Sequence, residues 1–598
     1  MSRRHTSASK RTAKPAHVTR TKQSFDDQLR RISDEKEDNS LIIPFSLLVI
    51  ASYLNRLHFK DIINERLRWD PAQWKYSPGV LAQIMVLSVF VPSRKKVALS
   101  RIHEAFAGID LTYLVGEEID PESLNDDLFG QLLDRMYEYG CSTLYRSISL
   151  TVRTTFDLPH NYFLHSDTTS HVLTGEYECS QTQEISTVIK PTYGVSKEKR
   201  ADLKQIMSGS VTDGDGLVLF CHILDGNTAD CEYNNLMISA LQSVYGDEFG
   251  EYTYIADCKV LTEKNLKLIY KGVKSGDPVK IISCLPDNFG GKLSEKMRKI
   301  AYLENNWESL GICCQYPSGK NSEPEYWSRT YQKDVCGHPM WVHVYRKKEA
   351  EKHLERYLND ERRKFETDLD VLTSKEFMCE PDARTELENF IKKHKKSIFS
   401  AELSLISTTK EKRPVGRPSK IPKPSVIETT WSFCAGEIRG DEEKIERKRR
   451  KIDSFCLLTS ISPEEMNSRE VLLNYKRQNV VESMFSLLKE PLLASTIFLE
   501  KPERIEALMT ILYFSVLMHG ILQLITRNRI EKLPKVPKIG PENRPLIRPK
   551  SGTVLNILEN FEIVTVDGVL KKIRSKQKKR SEQLDLMMYL VDFDPAVI

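Results

Sequence analysis

Three acids stand in settings that suit phosphoryl chemistry. Asp167 closes the apolar run beginning at Tyr162, Asp257 closes another beginning at Tyr252, and Glu482 sits inside the pattern Tyr475-x6-Glu482-x6-Lys489. On a helix turning about 100° per residue, Tyr475, Gln478, Glu482 and Lys489 fall within about 60° of one another. Val480, Val481, Met484, Leu487 and Leu488 take the other side. The spacing predicts one polar stripe on a buried helix. A carboxylate held there between a phenol and an ammonium is placed to share a divalent metal with two aspartates and to face an anionic backbone. His165, two residues before Asp167 and so on the same strand face, is either a base that orients water or an ordinary core histidine.

The elements that must position these residues follow from periodicity. Residues 1–38 are basic and short of large apolar side chains, which predicts a disordered arm. Residues 39–156 carry apolar side chains at helical spacing, as in Leu132, Leu133, Met136 and Tyr137, and read as an all-helical N-terminal domain. Over 157–284 the period changes. Strands are expected at Tyr162 to Ser166, His171 to Tyr177, Asp202 to Val211 and Leu217 to Ile223, the last two joined through Asp213-Gly-Asp-Gly216. A helix from Asn234 to Tyr245, a strand at Tyr252 to Ala256, a helix from Thr262 and a strand at Val279 to Cys284 complete an α/β layout. It places both aspartates at carboxyl ends of strands, where open sheets carry their sites. The pattern then stops. Residues 285–470, too long for a loop, are expected to form an insertion domain before the acidic helix and a buried helix at 471–530. Residues 531–598 read as a basic extended linker and a small C-terminal segment.

Composition narrows the class. With 598 residues and 40% hydrophobic content the chain can bury a large core. Net charge is only +5, but the cations are bunched: Arg3 to Lys22, Lys410 to Lys423, and Lys571 to Arg580. Such clusters suit a polyanion, although each alone equally fits a solvated tail. Twelve cysteines without a CxxC pair read as reduced and intracellular. Cys313, Cys314, Cys336 and His338 form a candidate zinc set of irregular spacing. The apolar stretch Ala507 to Ile525 contains Thr510, His519 and Gln523, so a buried core helix is expected rather than a membrane span.

The strand-end motifs carry a resemblance. His165-Ser-Asp167-Thr-Thr-Ser170 with Gly175-Glu-Tyr177, Tyr193-Gly-Val-Ser-Lys-Glu-Lys-Arg-Ala-Asp-Leu-Lys-Gln205, Leu224-Asp-Gly-Asn-Thr228 and Ile255-Ala-Asp257 resemble the DDE-class transposases of bacterial insertion sequences. The Tyr475 to Lys489 segment resembles the Tyr-x2-Arg-x3-Glu-x6-Lys signature of the insertion-sequence-four superfamily, with Gln478 where the signature has Arg. Within that superfamily the likeness is to the sixteen-thirty-four type branch, and it extends from about Ile42 to Asp567.

The resemblance implies an RNase H-like catalytic core with a large insertion before its last acidic helix, preceded by the helical domain. It implies Asp167, Asp257 and Glu482 as catalytic residues and metal ligands for two Mg2+ ions, with Mn2+ as a substitute, Asp167 bridging the pair. Tyr475, Gln478 and Lys489 would contact DNA beside the cut, and Lys197, Arg200 and Lys204 would line the strand path, although Arg200 with Asp202 equally fits a surface ion pair. Arg417 in Gly416-Arg-Pro418 resembles the core of an AT-hook, which enters the minor groove of A·T-rich DNA. The implied function is a transposase that binds terminal inverted repeats, cleaves there and joins the freed ends to target DNA. The active complex would be a dimer in the prokaryotic cytoplasm, associated with the nucleoid and with no membrane. Two alternatives stay open: a transposase-derived DNA-binding protein without catalysis, and an RNase H-like nuclease without strand transfer.

Overall fold

A computed structural model describes residues 40–593 except 93–98, 176, 178–187, 197–199, 272–277, 315–323, 348–349, 413–425, 490–498, 567–568 and 576–582. The basic arm, Lys197 and Arg417 therefore lie outside the described residues. The protein is mixed α/β. Its chain divides into two compact units: Met1–Val260 with Lys271–Val279 and Lys476–Ile598, and Leu261–Tyr270 with Lys280–Tyr475.

The first unit contains all three acids. Its sheet runs β4, β3, β2, β5, formed by β2 (Phe163–Val172), β3 (Gln205–Asp213), β4 (Val218–Leu224) and β5 (Thr253–Ala256). β2, β3 and β4 are antiparallel neighbours, and β5 pairs parallel with β2 from Phe163↔Thr253 to Ser166↔Ala256. The turn between β3 and β4 falls on Asp213-Gly-Asp-Gly216, as its residue types require. Asp213 Oδ1 accepts the backbone N–H groups of Asp215, Gly216 and Leu217, each at 3.0 Å, and Gly216 takes a positive φ of 102°. Arg153 donates to both Asp213 and Asp215 and fixes the turn from below.

Edge strands attract unwanted partners unless covered. Here a helix closes β4. Ser142, Tyr145 and Ser149, all on one face of the helix Cys141–Ser149, donate to the carbonyls of Cys221 (2.9 Å), Val218 (2.8 Å) and Leu219 (2.7 Å).

The N-terminal region departs from the expected all-helical domain in two respects. It opens with β1 (Ser40–Pro44), which pairs antiparallel with Phe561–Val566 from the far end of the chain. Its helices also share a core with later elements, because the apolar helix Pro502–Glu531 is buried on most of its surface and needs apolar neighbours all round. Phe514 packs edge-on against Phe59 (5.0 Å) and beside Tyr145 (5.0 Å), while Arg504 forks onto Asp134 at 2.7 Å. The small C-terminal segment expected after the linker packs back on these helices. Tyr53 donates to the Val591 carbonyl, and Arg56 and Arg529 both donate to Asp592.

Burial of that helix has a pH signature. The Glu506 carboxyl, desolvated near Cys141 and Cys221, is pushed up from 4.5 to about 7. The unfolded chain releases this proton near the ordinary value while the folded chain keeps it to about pH 7. Stability therefore falls as pH rises through that window and stays lowered above it. Glu506→Gln is expected to add about 2–3 kcal/mol at pH 8 and nearly nothing at pH 4.5, read from the melting temperature at each pH. An equal gain at both values would show that the carboxyl is not desolvated.

The second unit takes in more than the expected insertion. Lys280–Cys284, read as the last strand of the α/β core, pairs antiparallel with Ser454–Thr459 (Cys284↔Leu457, Ile282↔Thr459), which also pairs with His338–Lys347. The strand follows Thr253–Ala256 in the sheet order, as the α/β layout expects, while by compactness the strand and most of the helix Glu263–Lys271 fall in the second unit together with residues 285–470. The aromatic stretch Tyr326 to Tyr345 is a hairpin of Glu325–Val335 and His338–Lys347. Two helices, Ala350–Thr373 and Glu380–His394, pack on the base of a long two-stranded ribbon formed by Leu403–Lys412 and Val426–Ala435.

Candidate functional site

The two expected strands around Asp167 are one. β2 runs through Asp167 without a break, so this acid lies in mid-strand rather than at a carboxyl end. Polar residues from Ser166 to His171 continue the strand because their backbone groups pair with β3 and their side chains are covered on both faces. β5 does stop at Ala256. Its parallel register with β2 ends at Ser166↔Ala256, so Asp167 and Asp257 each follow by one residue the last pair of the two strands. Asp257 Oδ1 accepts the Lys259 N–H (2.9 Å), which turns the chain out of the sheet, and Asp167 Oδ1 accepts the Thr168 N–H (2.8 Å).

The acidic helix lies on this sheet. Asn479–Leu488 packs on β2 and β3 and buries Val481, Met484, Phe485 and Leu488, while Glu482 is exposed and makes no ion pair among the described residues. Val480 approaches Gly216 in the β3–β4 turn, beyond the Thr212 that pairs with His165, so the helix starts at the end of the sheet where β2 begins.

The expected continuous helix from Tyr475 to Lys489 is instead two, Ser468–Lys476 and Asn479–Leu488. Between them Val480 N–H reaches Arg477 O (2.9 Å) and Val481 N–H reaches Gln478 O (3.2 Å), tight turns that overwind the backbone. Gln478 precedes the second helix without capping it, Lys489 closes it, and Tyr475 falls in the other unit. The single polar stripe is thus divided, and only its Gln478, Glu482 and Lys489 part belongs with the aspartates.

The donor chemistry suits magnesium, since Asp167, Asp257 and Glu482 offer hard carboxylate oxygens. Their arrangement is incomplete. Among the described residues no three of His, Cys, Asp and Glu are gathered closely enough to hold an ion. The same holds for the zinc set: Cys313 is buried with its thiol toward the Leu310 and Gly311 carbonyls, Cys336 is exposed, and His338 stacks on Tyr270 at 3.7 Å.

His165 is fully buried, with neither ring nitrogen hydrogen-bonded, and burial then the Arg477 charge hold it neutral down to about pH 3. The core-histidine alternative describes its burial. Arg200 pairs with Asp202 (2.7 Å, both exposed), and Lys204 donates to the Tyr177 carbonyl (2.6 Å), so each is tied to its own loop. Sequence reading missed Asp230, which opens the helix Asp230–Tyr245 and accepts from Thr168 Oγ1 at 2.5 Å. Its signal was an acid in a helix's first turn, which by itself indicates only a favourable dipole.

Residues 45–150, the helices of the N-terminal region, match the family described as a domain of unknown function (DUF4277), a domain found in transposase-like proteins. Comparison with the curated proteins gives no match.

Proposed function

We infer that the chain is a DDE-type transposase, cutting the ends of its own element and joining them to target DNA with a divalent metal. The observation that carries this reading is the parallel pairing of the strands that lead to Asp167 and Asp257, with the helix that bears Glu482 packed on β2 and β3. Three antiparallel strands followed by a parallel crossover strand support an RNase H-like core. The DUF4277 match lends independent support.

Magnesium would supply activation of water or a 3′-hydroxyl and charge neutralisation at phosphorus. Asp167, Asp257 and Glu482 would hold it, and completing the set requires the three carboxylates to draw closer together than they stand here. Lys489, at the end of the acidic helix, is a point charge suited to a phosphate beside the cut.

The test is cleavage of duplex DNA bearing the element's terminal repeats by the purified full chain in Mg2+, with a chelator control. Nicks at the repeat ends and strand-transfer products are expected. Cleavage without joining would convert the reading to a nuclease, and repeat binding without cleavage would leave a DNA-binding protein.

A further inference from the structure

β2 is fastened on both sides of Asp167 from the opposite face of the sheet. Side chains alternate along a strand, so Leu164, Ser166 and Thr168 point away from the face of His165 and Asp167, and the parallel register sets Tyr254 of β5 with them. The helix Asp230–Tyr245 packs there. Ser166 Oγ lies 3.5 Å from the Tyr233 hydroxyl, and Thr168 Oγ1 donates to Asp230 Oδ1 at 2.5 Å. Tyr254 donates to Asn234 Oδ1 at 2.8 Å, and Asn234 Nδ2 in turn donates to the Asp230 carbonyl at 2.7 Å. Asp230, Tyr233 and Asn234 stand at i, i+3 and i+4, which is one face of the helix.

Burial makes these bonds specific. Ser166, Thr168, Tyr233, Asn234 and Tyr254 are all buried, so a hydroxyl or amide that loses its partner keeps its desolvation cost. The Thr168 bond to a carboxylate is the short, charge-assisted member of the set. It also stands one residue from Asp167, whose Oδ1 accepts the Thr168 N–H at 2.8 Å. Fixing the Thr168 side chain therefore fixes the peptide against which the Asp167 carboxylate rests. Packing leaves little slack, since a Cβ at Gly209, the residue paired with Thr168, would stand 2.1 Å from the Tyr233 ring. The same helix packs on the turn Cys258–Val260 that follows Asp257. An acid opening a helix is ordinarily a partner for the helix dipole, a role that requires no bond to the sheet.

We propose that Asp230 is a positioning residue for the acids: through Thr168 it holds the β2 backbone at Asp167, while Asn234, through Tyr254, ties the strand that leads to Asp257 to the same helix. This rests on the reading of Asp167 and Asp257 as metal ligands. Carboxylates gather round a cation most readily when the backbone beneath them is already fixed, and removing a group that orients a metal ligand typically weakens metal binding by about 10–100-fold.

The experiment measures Mn2+ binding by the full chain without DNA, from the paramagnetic resonance signal of the free ion, beside cleavage of end-bearing duplex in Mg2+. Asp230→Ala and Thr168→Val are each expected to weaken Mn2+ affinity about 10–100-fold, and the double variant no further, because both remove the same bond. Asp230→Asn keeps an oxygen that accepts and Thr168→Ser a hydroxyl that donates, so each is expected to recover most of the loss. Ser142→Ala is the control. It removes a bond to the Cys221 carbonyl on β4, away from the acids, and should keep the parent's Mn2+ affinity even where its melting temperature falls as far. Parent affinity in Asp230→Ala or Thr168→Val overturns the proposal. So does equal loss in Asp230→Ala and Asp230→Asn, which would assign the effect to charge, or an equal loss in Ser142→Ala, which would assign it to general loosening. Mn2+ binding that depends on Asp230 without any cleavage sinks the transposase reading alone. Cleavage with Mn2+ affinity independent of Asp230 sinks the positioning role alone, and a parent that binds no Mn2+ sinks both.

Discussion

Asp167→Asn is expected to reduce metal-dependent cleavage at the element ends about a thousand-fold or more, equivalent to about 4 kcal/mol of lost transition-state stabilisation. The substitution keeps the side chain's shape and its acceptor for the Thr168 N–H but removes the anionic oxygen that a hard cation needs. Asp257→Asn should behave alike, because the amide oxygen can still accept from Lys259 N–H and hold the turn. Glu482→Gln is the most discriminating of the three. Its carboxylate is exposed, so the isosteric change should leave folding untouched. Each variant should bind end DNA nearly as well as the parent, measured by gel shift in the absence of metal. Retained cleavage in one variant removes that residue from the site. Retained cleavage in all three removes the site.

What could be read in the residues beforehand was set by how local the physics is. The β3–β4 hairpin announced itself through Asp213-Gly-Asp-Gly216, since a positive φ and an acceptor for successive N–H groups are demands met by residue type. Asp257 at a strand end was legible for the same reason, because the apolar run and the strand stop together. Asp167 was not. The apolar run ends there, but the strand continues through Thr168, Thr169 and Ser170, whose burial depends on helices distant in sequence. The break at Arg477 and Gln478 was hidden too, because both residues remain good helix formers and the division follows which unit each half packs into. Pairing of Lys280–Cys284 with Ser454–Thr459, and of Ser40–Pro44 with Phe561–Val566, joins segments separated by most of a domain. Alternation within one strand says nothing about such partners. The three acids were found by spacing, whereas the packing of the acidic helix on β2 and β3 emerged only from the fold.

Asp213→Ala should destabilise the first unit by about 3–5 kcal/mol, the largest loss of stability expected from a single side chain here. Asp213 is completely buried, and three backbone N–H groups and the Arg153 guanidinium converge on it. Removing the carboxylate takes an acceptor from three backbone N–H groups, two of them buried, and leaves Arg153, itself mostly buried, with only Asp215 to balance its charge. Asp213→Asn separates the two contributions. The amide oxygen can still take the turn's N–H groups, so this variant should lose roughly half as much, the part owed to Arg153. Chemical unfolding at pH 7 measures both, and equal losses would mean that the turn's hydrogen bonds contribute nothing. The consequence reaches the acids as well. The same turn presents Gly216 to Val480, so closely that a Cβ at Gly216 would stand 3.3 Å from a Val480 methyl, and the turn thus forms part of the seat of the acidic helix. Loosening it should let the acidic helix, and Glu482 on it, shift over the sheet. A temperature-sensitive loss of cleavage in Asp213→Asn, at temperatures where the protein is still folded by circular dichroism, is the expected sign that a structural carboxylate outside the site holds the site's third acid in place.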